Sequence, residues 1–355
     1  MKLTHSAPGP IPAPVVIEFT VALLGRLGVP EKPAAEVAEA LVAADLEGVP
    51  SHGLMLLPMY VERLAAGSVS PTSEGRIVSD RAGAVVFDAE HGLGQVTTGR
   101  AVALAIERAR QHALAAVAVR NAFHFGTAGR WAAMMAHEGC VGMALTNTRP
   151  LMPPPGGAER LVGNNPVAIA VPSLNDEPFI VDFALSAAAM GRIRLADTAG
   201  ERIPEGWACD AEGVPTTDPA AAIAGMLLPI GGPKGFGLAM MVDLLAGGLS
   251  TGAVGHEVRP LYGDASLPYS CSQFFLAIDI GAFRPADEYA AVTRAFAERV
   301  RTSRPARGFR QVMAPGDPAI LARRAADSQV SLDAATLTAL RIAAEKHEVA
   351  FSLAP

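Results

Sequence analysis

Gly231-Gly232-Pro233-Lys234-Gly235-Phe236-Gly237, followed by the apolar run 238–245, is the stretch on which the architecture turns. Glycines let backbone N–H groups approach an anion closely, and the helix that the apolar run predicts would offer its N-terminus to phosphate. Lys234 is one of four lysines, with Lys2, Lys32 and Lys346, among 29 basic residues otherwise supplied by arginine. A compact ammonium beside such a turn serves as a point charge. The plainer reading is a tight turn feeding a buried helix, and the stretch alone leaves both open. It lacks the Gly-Lys-Ser/Thr ending of a P-loop. No G-x-G-x-x-G follows a strand to open a helix elsewhere, so a Rossmann fold is not signalled.

Working outward, 355 residues call for two or three lobes rather than one core. Hydrophobic residues make up 50% of the chain but aromatics only 5%, so alanine, valine and leucine must build the interior. A formal net charge of −6 without a basic run argues against a nucleic-acid surface. Cys140, Cys209 and Cys271 are odd in number and widely spaced, which suits reduced thiols in a cytoplasmic protein. No apolar stretch reaches membrane-spanning length without glycine, proline or charge. Residues 1–14 are proline-rich, lack the apolar core of a signal peptide, and read as a flexible arm.

Apolar residues recur at helical spacing over 15–27, 34–47 and 54–65, which read as one N-terminal layer. Residues 84–88, 115–119, 141–146, 167–171, 179–183 and 274–280 read as strands, and 96–112, 126–138, 288–301 and 332–345 as helices. Residues 201–219 are polar and turn-rich and predict a surface excursion.

Two histidines have informative neighbours. His124, in Phe123-His124-Phe125-Gly126, stands between a buried strand and a helix, where a titratable side chain faces a pocket. His52 follows Ser51 and precedes Gly53 at a helix start, where Ser51 also fits as an N-cap. There is no HExxH, no CxxC and no dense carboxylate cluster, so no metal site is expected. Without a GxSxG elbow, nucleophilic hydrolysis is not signalled either.

Five short segments occur in a telling order: Ser51-His52-Gly53, His124-Phe125-Gly126, Gly163-Asn164-Asn165-Pro166, Pro215-Thr216-Thr217-Asp218-Pro219 and Gly232-Pro233-Lys234-Gly235. Together, over residues 15–322, they resemble the non-Rossmann malate/L-lactate dehydrogenase family. That family includes ureidoglycolate dehydrogenase, diketogulonate reductase and the pyrroline- and piperideine-2-carboxylate reductases. The resemblance implies a mixed α/β fold with a mostly antiparallel central sheet and helical lobes, in a homodimer. It divides the chain into the arm at 1–14, a helical lobe at 15–80, an NAD(P)-binding sheet domain at 81–285 and C-terminal helices at 286–355 that pack back on the body.

The implied activity is hydride transfer between NAD or NADP and a small 2-hydroxy or 2-oxo acid. Reduction of a cyclic 2-imino acid is the alternative, and a cofactor-binding sensor without turnover is the rival from another class. By motif, His124 is the favoured proton carrier, while His52 and Ser51 orient the substrate oxygen. Tyr60 falls where the family often has a substrate-facing tyrosine. Lys234 and Pro233 would meet the dinucleotide, as would Val181, Asp182 and Phe183, with Asn165, Gly316 and Asp317 as further contacts. One position departs from the family pattern. Leu56 stands where many members have a carboxylate-gripping arginine, and Arg149 is the expected replacement.

Overall fold

The computed structural model of the protein describes residues 9–173 and 177–353, so part of the expected arm, residues 1–8, lies outside it. The rest of that arm is ordered structure: strand β1 (Ile11–Pro12) pairs antiparallel with a C-terminal strand, and helix α1 (Ala13–Arg26) begins at once. Pro14 in the first turn suits α1 because that position needs no N–H. Its buried residues Val16, Phe19, Thr20, Leu23 and Leu24 keep the spacing of one helical face. Gly28, with φ of 82°, breaks the chain before α2 (Glu31–Leu46), and α3 (Leu57–Ala65) completes the N-terminal layer.

Strand β2 (Arg76–Arg81) and strand β3 (Ala84–Asp88) then open the main sheet. Helix α4 (Gly94–His112) crosses to β4 (Leu114–Ala122), and α5 (Ala128–His137) leads to β5 (Cys140–Thr146). Strands β6 (Val167–Val171) and β7 (Phe179–Phe183) follow. A smaller lobe holds α6 (Met190–Ala199), β8 (Ala208–Cys209), β9 (Pro215–Thr216), α7 (Pro219–Ala224), β10 (Met226–Leu227) and α8 (Pro233–Asp243). The chain then re-enters the main sheet as β11 (Cys271–Asp279). It ends in α9 (Ala286–Arg301), α10 (Asp317–Ala326), β12 (Gln329–Val330) and α11 (Ala334–Lys346). Strand β12 is the partner of β1 and α11 packs on α3, so the C-terminus returns to the N-terminal layer.

Among the described residues the main sheet runs β2-β3-β4-β11-β5-β6-β7. Only β3–β4 is parallel, because α4 carries the chain over one face; the other pairings are antiparallel. This is the mixed, mostly antiparallel sheet expected. Strand β11 is buried along nearly its whole length, as a central strand must be. Alanine does the work that aromatics would do elsewhere: Ala101, Ala105 and Ala109 on α4 are fully buried and let the helix lie close to the sheet. The stretch at 201–219 is largely at the surface, as expected, but it is anchored by buried residues. Ile203 and Ala208 are buried in a second core with Leu185, Ile193 and Leu227, and β8 and β9 pair within it.

A buried polar knot joins the two cores. Asp243, at the end of α8, accepts from Asn147 Nδ2 (3.0 Å), Asn165 Nδ2 (2.9 Å) and the Gly255 N–H (3.3 Å). Asn147 also accepts from the Ser272 N–H (2.7 Å) and donates to the Ala253 carbonyl (2.8 Å). Burial pushes the Asp243 carboxyl above its ordinary pKa, and its three donors hold it back. Replacing Asn147 with alanine would strand the Ser272 N–H and leave the buried carboxylate short of a donor. The expected loss is about 3 kcal/mol of unfolding free energy, measured by urea denaturation of Asn147→Ala beside the parent.

Candidate active site

His52 lies in the 3-10 turn Pro50–His52 rather than in a continuous helix. Gly53 is required there for close approach: a Cβ would sit 2.3 Å from the Asp45 carboxyl carbon. Asp45, on α2, accepts from the Leu54 N–H at 2.8 Å and so pins the far side of the turn. Ser51 Oγ lies 3.0 Å from His52 Nδ1, which leaves Nε2 as the outward atom of that ring. His124 emerges just after β4, and its ring centroid is 5.5 Å from that of His52 with 30° between the planes.

Behind His124 the packing is tight. Tyr60 Oη lies 2.8 Å from His124 Nδ1 and 3.1 Å from the His124 carbonyl oxygen. Gln95 Nε2 donates to the same hydroxyl at 2.9 Å, and the Gly126 N–H donates to Nδ1 at 3.3 Å. The start of α4 presses in, since a Cβ on Gly94 would be 2.1 Å from the His124 carbonyl oxygen. Burial pushes the His124 pKa down to about 3, with His52 adding to the shift, and burial lowers His52 as well. Tyr60 is 0% exposed and backs His124. The same helix carries Arg63, buried among the Pro260, Leu261 and Leu267 carbonyls, which accept from its guanidinium.

Leu56 is 2% exposed in the core, so no cation stands at the family's usual clamp position. Arg149 is half-buried and no carboxylate pairs with it among the described residues. Burial and the nearby Arg160 and Arg194 lower its pKa, while Tyr269 raises it. Tyr269 meets Phe123 edge-on at 6.3 Å, and Phe123 meets Tyr60 at 5.0 Å. An aromatic chain thus runs from Tyr269 to His124.

The glycine-rich stretch forms the start of α8, which begins at Pro233, earlier than the expected 238. Gly231 and Gly232 both have φ of 61°, a conformation that glycine adopts without strain. Lys234 is exposed in the first helical turn, where backbone N–H groups have no partner within the helix. The Ile230 N–H donates to the Leu185 carbonyl at 2.9 Å, which ties this loop to the chain just beyond β7. On β7, Val181 and Phe183 are exposed, and Asp182 Oδ2 accepts from the Gly129 N–H at 2.7 Å, capping α5. Gly316 lies against the same strand: a Cβ there would be 3.4 Å from the Ile180 nitrogen. Asp317 is held by Arg301 at 2.7 Å and the Ala314 N–H at 2.7 Å. Asn165 departs from its expected role. It is 0% exposed, its Oδ1 accepts from the Thr148 N–H (2.9 Å), and its Nδ2 serves Ala239 and Asp243, so its side chain is a strut of the fold. No group of metal-ligating side chains occurs among the described residues.

The sequence profile of the family described as malate/L-lactate dehydrogenase matches residues 11–341. The chain belongs to the malate/L-lactate dehydrogenase family. A malate dehydrogenase of Pyrococcus horikoshii is 38% identical over 319 residues, covering 88% of each chain. The (2R)-3-sulfolactate dehydrogenase (NADP(+)) of Chromohalobacter salexigens is 42% identical over 266 residues, 75% of this chain and 79% of that one. The solved sulfolactate dehydrogenase from Methanocaldococcus jannaschii superposes with a TM-score of 0.92 at 32% identity, covering 98% of this chain and 99% of that one. This dehydrogenase is therefore an NAD(P)-dependent oxidoreductase of the malate, sulfolactate and hydroxycarboxylate type.

Asp45 gives the dehydrogenase a measurable pH signature. Burial raises its carboxyl pKa to about 7, against the Leu54 hydrogen bond, and Asp333 adds to the rise. The native state thus keeps a proton that the unfolded chain loses above 3.8. That contribution to stability is full below the unfolded value and disappears as pH climbs through about 7. Thermal unfolding at about pH 5 and about pH 8 is expected to show a smaller alkaline loss in Asp45→Asn than in the parent.

Proposed function

We propose that the enzyme interconverts a small, doubly anionic 2-hydroxy acid, of the malate or sulfolactate kind, with its 2-oxo acid. The observation that carries this reading is the pair of imidazoles 5.5 Å apart, both with lowered pKa, backed on one side by Tyr60. Bound nicotinamide supplies the hydride acceptor or donor. His124 is the proton carrier: a neutral imidazole is a competent base for the substrate hydroxyl, worth roughly 10²–10⁴-fold in rate. His52, held by Ser51, orients the same oxygen. Arg149 grips an anionic group of the substrate, which its lack of a carboxylate partner among the described residues and the neighbouring Arg160 and Arg194 support. The names of the related malate and sulfolactate dehydrogenases support a second anion.

For the cofactor, Lys234 and the N-terminus of α8 have the chemistry to hold the dinucleotide phosphates, with Pro233 alongside. Val181, Asp182 and Phe183 on β7, with Gly316 and Asp317 beside it, would line the rest of its path. The three buried free thiols support a reducing, cytoplasmic setting.

Two measurements bear on this. With malate, sulfolactate, lactate and piperideine-2-carboxylate assayed against both cofactors, turnover is expected on the doubly anionic acids. Arg149→Ala should raise KM for the best of them by roughly tenfold or more, as loss of a charge-assisted hydrogen bond predicts. Unchanged KM would remove Arg149 from the site, and preference for the cyclic imine would replace the hydroxy acid altogether. Separately, Leu238, Met240, Met241 and Leu244 leave an apolar face on and beyond α8, each more than 40% exposed. That face supports a homodimer, and light scattering of the parent should give twice the chain mass, with Met241→Glu shifting it toward one chain.

A further inference from the structure

The Tyr60 hydroxyl has three polar neighbours, and a hydroxyl has one proton and two lone pairs to offer them. Gln95 Nε2 always donates, so one lone pair is taken. The His124 carbonyl oxygen can only accept, whereas His124 Nδ1 can do either. Two arrangements remain. In the first, the Tyr60 proton points at Nδ1, which also accepts from the Gly126 N–H, and the neutral ring carries its hydrogen on Nε2. In the second, Nδ1–H donates to the hydroxyl, whose own proton has turned to the His124 carbonyl. Passing between them rotates one O–H bond, moves the ring hydrogen from Nε2 to Nδ1 and gives up the Gly126 N–H bond to that nitrogen.

We propose that Tyr60 is a positioning residue that acts as a two-state hydroxyl switch, letting His124 change which ring nitrogen carries its proton. This rests on the reading of His124 as proton carrier. His124 takes the proton of a 2-hydroxy acid from the second arrangement, in which Nε2 carries no hydrogen: the substrate O–H bond breaks and an Nε2–H bond forms. The resulting imidazolium must then donate from Nδ1 as well. Only the second arrangement receives that hydrogen, and the Tyr60 hydroxyl provides it from a fully buried position. Gln95 biases the switch. Its donation strengthens the hydroxyl as a donor and competes with Nδ1–H for the oxygen, which favours the first arrangement. Its own Oε1 is buried with no hydrogen-bond partner among the described residues. Titratable neighbours facing the ring are His52, at 5.5 Å, and Tyr60 itself; Gln95 and Gly126 are neutral.

The two partners therefore predict opposite effects. Tyr60→Phe removes the acceptor for Nδ1–H, so the imidazolium becomes harder to form. Gln95→Leu frees the hydroxyl to accept, so it becomes easier. Nitrogen-15 NMR of histidine-labelled, ligand-free enzyme should show His124 titrating at lower pH in Tyr60→Phe and higher pH in Gln95→Leu, with the Nε2–H form dominant in the former. In the assay, kcat for 2-oxo acid reduction at neutral pH should fall roughly ten- to hundredfold in Tyr60→Phe with KM little changed. Identical His124 titration in parent and both variants, or shifts of the same sign, would overturn the switch. If Tyr60→Phe does not fold, the upward shift in Gln95→Leu still decides it. The NMR titration needs no substrate, so it separates failure of the switch from failure of the proposed reaction.

Discussion

A single buried carboxylate holds the two halves of this molecule in register. Asp243 closes α8 and receives hydrogen bonds from Asn147 at the end of β5 and Asn165 in the turn before β6. The same α8 opens with the Gly231–Gly232 turn and Lys234, so the carboxylate at one end fixes where the other end points. Asn147 carries the constraint into the main sheet through Ser272 on β11, and Asn165 carries it to the Thr148 N–H beside Arg149. A carboxylate is costly to bury without donors. Here its three donors come from segments that would otherwise be independent loops.

Helix α3 plays a matching part on the other side. Tyr60 and Arg63 are one helical turn apart, and both are buried to the last few per cent. Tyr60 supports His124, while Arg63 gathers carbonyls of the 260–267 loop, whose exposed Tyr262 feels Arg194. One short helix therefore sets both the back of the histidine site and the anchor of a loop near the arginines. A substitution on its buried face would disturb both together.

What could be read from the chain follows how local the signal is. Val167–Val171 and Phe179–Phe183 are apolar runs bounded by turns, and the strands fall on those residues. Arg76–Arg81 escaped because an exposed edge strand has no buried alternation to display. Met190–Ala199 escaped because only Ile193 is buried, so no apolar stripe marks the helix. At the site, the motifs around His52 and His124 were legible, and the structure brings the two rings together. The direction of the Tyr60 hydroxyl was not, because Gln95 is 35 residues away in the chain. Asn165 reads as a polar turn residue free to meet a ligand, yet its partner Asp243 lies 78 residues downstream. Pro233 marked the true start of α8, a first-turn proline that the run of leucines and methionines after it obscured.

The position of β11 governs the order in which the sheet can be assembled. It sits between β4 and β5, yet its Ser272 and its partner Asn147 are 125 residues apart. During synthesis β4 and β5 emerge with no strand between them, each presenting unpaired edges that invite wrong partners. The residues of the smaller lobe emerge before the central strand, and the loop that strand closes is long. A chain truncated anywhere before Cys271 therefore lacks the strand that joins β4 to β5, and its sheet is divided rather than shortened.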